Sequence, residues 1–218
     1  MKKTLYAIEF IAVLIILLIQ PCFIRQNQVV PAIEFTKSTA LSLVIAIFLY
    51  FPNRKIFDLS YAQKENFRPK DETIIKKIST LTVSFGLLVT IGCVFSALAY
   101  FLGFNDDLKT CIPKGVFSWI SFIIAILVAS FYEESLYRFY VPECLNFLLG
   151  KKFYLANEIL ALIFFAFAHS YMGAMGVTNA FFSGIILRKC FLQTKNLYLN
   201  AMIHFLYNFF AVIVSAAL

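Results

Sequence analysis

The chain has 218 residues, of which 61% are hydrophobic and only 14% charged, with a mean hydropathy of +0.82 and a net charge of +7. That is more apolar sequence than a soluble core of this size needs, so ordinary soluble classes are excluded. The basic residues fall in the gaps between apolar runs, which excludes a nucleic-acid surface and leaves an all-α, polytopic transmembrane helical bundle of about seven spans.

The first span is expected over residues 5–24, with Glu9 in its second turn, at the interface or facing inward. It resembles a signal peptide but lacks a small-residue cleavage site, so it reads as a retained span. Residues 25–37 form a polar turn containing Pro31, and a second span runs from Ser38 to Phe51, stopped by Pro52-Asn53-Arg54-Lys55. The segment 54–77 carries seven Lys or Arg with Phe57, Tyr61 and Phe67 among them, the composition of a loop lying on anionic headgroups. Span three covers 78–104 and ends at Asn105-Asp106-Asp107; span four begins near Val116. Spans five, six and seven follow at 153–171, 174–186 and 197–218. With this layout one side of the membrane collects fourteen Lys and Arg, Arg188 among them, and the other four, which places the N-terminus in the cytoplasm. The cysteines Cys22, Cys93, Cys111, Cys144 and Cys190 are scattered without metal spacing and read as small packing residues. Functionally the chain divides into residues 1–115, helices plus the basic loop, and 116–218, where the chemistry lies.

The sequence Glu133-Glu134-Ser135-Leu136-Tyr137-Arg138 puts two carboxylates and a guanidinium after a long apolar run. Ionisable groups at membrane depth are costly and point to a functional site. Adjacent helical residues diverge by about 100°, so Glu133 and Glu134 cannot share a direction. Arg138 lies one turn after Glu134 and pairs with it, leaving Glu133 free for chemistry. Tyr137, one turn after Glu133, either hydrogen-bonds it or packs. Both histidines of the chain fall in later apolar spans. Phe165 sits one turn before His169 and can pack under its ring. Asn200, His204 and Asn208 form a polar stripe at one-turn spacing, which must face inward. Gly173, Gly176 and the pair Ser183-Gly184 permit close helix contact, and Asn179 has no assigned role.

Depth constrains the fourth span. His169 lies about 24 Å along its helix, so Glu133 meets it only if span four continues past Pro142 towards Leu149, kinked at the proline. His204 remains shallower unless the last span tilts or begins before Asn196.

The ordered set Glu-Glu-x-x-x-Arg, Phe-x-x-x-His and His-x-x-x-Asn on separate spans resembles the CPBP family, the CAAX proteases and bacteriocin-processing enzymes also called Abi intramembrane proteases. The resemblance covers residues 117–218 and implies peptide-bond hydrolysis at the membrane. It implies Glu133 as general base on a water held with His169, and His204 with Asn208 as oxyanion donors. Glu134, Arg138, Tyr137, Phe165 and Asn200 would support them. No cofactor is firmly implied; zinc is possible, with Glu133, His169 and His204 as its ligands, although the His-Glu-x-x-His spacing is absent. The expected partners are a membrane-associated peptide or protein substrate and the lipid bilayer, without nucleic acid. The expected location is a bacterial cell membrane, where relatives serve in peptide maturation, bacteriocin immunity and proteolysis. A non-catalytic scaffold or immunity protein of the same fold, or a small proton-coupled transporter, are the competing readings.

Overall fold

The described part of the chain is helical throughout, with seven helices and no strand. The structure is a computed structural model describing residues 2–19, 37–62, 73–103 and 113–217. Helix α1 spans Lys2–Ile19, α2 Lys37–Ala62 and α3 Ile74–Leu102. Helix α4 runs without a break over Val116–Leu149. Helix α5 follows at Tyr154–Ala168, α6 at Gly173–Thr194 and α7 at Leu197–Ala217. The segments Ile74–Leu102, Val116–Leu149, Ser170–Thr194 and Leu197–Val214 are long and apolar enough to cross a membrane. Residues 39–53 and 154–168 are apolar but shorter. The turn around Arg25 and Pro31, the basic stretch 63–72, Asn105-Asp106-Asp107, Cys22 and Cys111 lie outside the described residues.

The fourth span does continue to Leu149, as the depth argument requires. Its accommodation of Pro142 differs from a simple kink. Residues Glu134–Tyr140 are wound as a π-helix, and the backbone N–H of Val141 bonds to Leu136 O, five residues back. The wider turn gives the chain room ahead of a proline ring that would otherwise press on the carbonyl four residues before it. All seven π-helical residues are buried. The main apolar core gathers around them, with Phe10 of α1, Leu49 and Tyr50 of α2, Leu136, Tyr140 and Cys144 of α4 and Phe165 of α5 among its members.

Two sequence-based boundaries are corrected. Pro52 does not stop the second helix, which continues through it to Ala62. Proline removes the backbone donor to Phe48 O, and on the next residue the Asn53 side-chain amide donates to Leu49 O at 2.9 Å. The sixth span does not end at Ile186; α6 runs on to Thr194, so Arg188 lies inside a helix and not in a loop. There it is 5% exposed. The count of loop charges used for orientation therefore included one buried residue.

Close packing positions the next pieces. Gly150 (φ +92°) adopts a conformation that favours glycine and ends α4. Asn157 ties the turn by donating to Asn146 Oδ1 at 2.9 Å. Gly184 lets α6 approach α5: a Cβ there would lie 3.0 Å from Phe165 Cδ1 and 3.1 Å from Leu162 Cδ2. Helix α3 buries little of its apolar surface and exposes Ile78, Val83, Leu87 and Val94, the kind of face a bilayer would cover.

Candidate active site

Three helices bring their polar groups to one place. Glu133 closes the first α-helical part of α4, and Glu134 opens the π-turn. His169 is the residue at which α5 ends. Asn200 and His204 lie on α7.

The two glutamates occupy different environments. Glu134 is fully buried, whereas the Glu133 side chain keeps 23% of its surface. Glu134 Oε1 faces His204 Nδ1 at 2.8 Å. Glu134 Oε2 accepts a short hydrogen bond from Asn200 Nδ2 and lies 3.5 Å from Arg138 Nε. The expected Glu134–Arg138 pair is therefore present, but Asn200 and His204 share it. Arg138 is 1% exposed, and its guanidinium carbon lies 4.0 Å above the centre of the Phe165 ring, a cation–π contact.

Both imidazoles are fixed at Nδ1. A carboxylate only accepts, so His204 Nδ1 carries the hydrogen toward Glu134. His169 Nδ1 lies 2.8 Å from Phe165 O, a carbonyl, and must also be the donor. Phe165 O is open to it because the His169 backbone N–H turns to Ala166 O as α5 ends. The helix end and the ring orientation are thus one arrangement. Phe165 packs edge-on against His169 with 4.7 Å between ring centres, as its one-turn spacing predicted. It also touches His204 at 6.4 Å and Tyr137 at 5.2 Å.

With Nδ1 engaged, each ring turns Nε2 to Glu133. His169 Nε2 stands 3.8 Å and His204 Nε2 3.7 Å from Glu133 Oε2. That oxygen is buried and makes no hydrogen bond among the described residues. These separations are too long for direct hydrogen bonds and are short enough for a water about 2.8 Å from each atom to bridge either pair. The diverging glutamates meet on the two edges of one imidazole, His204, which spacing alone did not foresee. It also removes the difficulty over depth, because His204 reaches Glu133 from a helix that begins at Leu197.

Residues 115–210 match the family described as Type II CAAX prenyl endopeptidase Rce1-like. The match covers under half of the chain and marks that stretch as similar to an Rce1-like domain. It contains every residue of the cluster, and it agrees with the CAAX-protease resemblance drawn from the three motifs. No curated protein and no solved structure matches the chain.

Two expected residues make no hydrogen bond to this cluster among the described residues. Asn208 is half-buried one turn beyond His204 and forms no hydrogen bond among the described residues. Tyr137 does not bond Glu133; it packs against Phe165, so the packing alternative holds. The possible zinc set does not fit as placed. No three His, Cys, Asp or Glu among the described residues are gathered to hold a metal ion. The Glu133–imidazole separations of 3.7 and 3.8 Å exceed the roughly 3.3 Å between two atoms sharing a tetrahedral zinc.

A second buried charge cluster was missed. Arg188 of α6 forks onto Glu158 of α5, with Nε–Oε2 2.6 Å and Nη2–Oε1 2.5 Å, and Glu143 Oε1 lies 3.7 Å from Nη2. Glu158 lies inside an apolar run, the same signal that singled out Glu133, and Arg188 would have shown it had span six been drawn to its full length.

Proposed function

We propose that this protein is an intramembrane endopeptidase that hydrolyses peptide bonds with a water activated by Glu133. The observation that carries the reading is the unpartnered Glu133 Oε2 between two imidazole nitrogens, each ring held at its far nitrogen by a separate acceptor. With hydrogen on Nδ1, neutral His169 turns a lone pair toward Glu133, and a water has two hydrogens to give, one to Glu133 Oε2 and one to His169 Nε2.

In the proposed reaction, Glu133 accepts one proton as the water oxygen bonds to the scissile carbonyl carbon, while the second hydrogen stays on that oxygen and is hydrogen-bonded to His169 Nε2. The carbonyl π pair moves to oxygen. His204, when protonated on both nitrogens, donates Nε2–H to that oxyanion while Glu134 balances its charge, and Asn208 supplies the second donor. The oxyanion pair then re-forms the C=O bond as the C–N pair leaves with nitrogen, and Glu133 passes its proton to that amine. Arg138, Asn200 and Phe165 hold Glu134 and the rings and do not touch the reacting atoms.

The substrate class is a peptide presented at the membrane surface or within it. The family description names prenyl CAAX endopeptidases, so prenylated C-terminal peptides are the first substrates to try. Purified protein in lipid should cleave such a peptide, and Glu133→Gln should reduce cleavage by about 10²–10⁴-fold with unchanged folding, the scale of general-base catalysis. Undiminished cleavage by folded Glu133→Gln would end this mechanism.

A further inference from the structure

Pro142 has no N–H, so the carbonyl four residues before it, that of Arg138, loses its ordinary helical donor. The π-turn gives the proline ring room. Arg188 supplies that carbonyl with a side-chain donor: its Nη1 donates a short hydrogen bond to Arg138 O, from a different helix. The remaining guanidinium nitrogens fork onto Glu158 at 2.5 and 2.6 Å. Arg188 and Glu143 are each about 5% exposed.

A buried ion cluster of this kind is a poor stability device. Well-packed apolar residues of similar volume often do as well or better, because desolvation offsets the attraction. An apolar residue at position 188 could not, however, bond a carbonyl. The carbonyl in question belongs to the residue that faces Glu134, and it sits where the π-turn meets Pro142. A change in the winding of that turn rotates Glu134 and Glu133 relative to α5 and α7.

We propose that Arg188, held in place by Glu158, is a positioning residue that replaces the donor Pro142 lacks and so sets the phase of the π-turn, keeping Glu133 between the two imidazoles. The proposal rests on the endopeptidase reading for its effect on turnover, and on geometry alone for its effect on the rings. Arg188 touches no reacting atom.

The test is a rescue. Arg188→Met with Glu158→Gln removes the donor without leaving Glu158 as an uncompensated charge. In the full chain in lipid, kcat should fall by about 100-fold with KM little changed, as a misplacement near 1 Å would produce. Adding Pro142→Ala returns the backbone N–H and should recover at least about tenfold of that loss. The side-chain ¹⁵N signals of His169 and His204 should move in the double variant and return in the triple. These signals need no turnover. If the wild type cleaves nothing but the signals move and return, the positioning role stands and the endopeptidase reading fails. If the double variant keeps wild-type kcat and signals, or if Pro142→Ala restores neither in folded protein, the proposal is overturned. Should the double variant not fold, Arg188→Leu with Glu158→Leu removes the same donor within an apolar pair. Wild-type kcat and histidine signals in that variant would overturn the proposal, and a loss with moved signals would support it.

Discussion

Replacing Glu134 by Gln separates its role from that of Glu133. Glu134 is fully buried and receives His204 Nδ1 at 2.8 Å, the Asn200 amide, and the charge of Arg138 3.5 Å away. The amide retains one acceptor oxygen and turns an NH2 toward one of the two donors. It also leaves the buried Arg138 cation without its counter-charge. Breaking a buried pair from one side costs about 3–5 kcal/mol, and the lost charge-assisted hydrogen bond is part of that figure. Arg138→Met in the same chain removes the stranded charge, so the double variant should be less damaged than the sum of the single changes by at least about 1 kcal/mol. Activity should fall further than stability explains. His204 loses the carboxylate charge that stabilises its imidazolium and shares a single amide oxygen with Asn200, and the expected loss in kcat is about 100-fold or more with KM little changed. Peptide cleavage in proteoliposomes, at a temperature where unfolding titrations show both proteins folded, measures this. A folded Glu134→Gln variant with wild-type kcat would refute the idea that Glu134 orients His204.

Other changes probe the supports. Gly184→Ala places a Cβ 3.0 Å from Phe165 Cδ1 and should cost about 1–3 kcal/mol by unfolding titration, with reduced cleavage as the ring under His169 shifts. Tyr137→Phe should leave cleavage unchanged because the hydroxyl has no hydrogen bond among the described residues, whereas Tyr137→Ala should lose about 3–5 kcal/mol through the cavity against Phe165. Tyr140 donates to Glu9 Oε1 at 3.0 Å, linking α1 to the end of the π-turn. Glu9→Leu should cost about 1–3 kcal/mol in an unfolding titration by removing the charged acceptor of that hydroxyl, while Glu9→Gln, which retains an acceptor, should cost less.

The motif residues show how far spacing along one helix can be trusted. Phe165 under His169 and Arg138 beside Glu134 were both legible, because each pair is separated by one helical turn and local geometry brings the partners together. The length of α4 was legible too, from the requirement that Glu133 and His169 meet at one depth. Tyr137 was ambiguous because position allows two partners, and only the packing of Phe165 decides between them. Arg188 was misplaced because hydropathy drops at a charge wherever that charge lies, and a short span with a basic end looks the same as a long span with a buried cation.

Composition and periodicity by themselves determined a helical membrane bundle and singled out Glu133, the two imidazoles and Asn200 as polar groups that must turn toward protein. Those properties are local: apolar runs dictate helices, and costly polar groups within them must face protein. Tertiary structure alone decided that His204 joins both glutamates, that a π-turn precedes Pro142, and that Arg188 reaches from α6 to the carbonyl the proline leaves open. Each of these is a contact between helices far apart in the chain. Such contacts depend on how helices rotate and cross, which no single helix encodes.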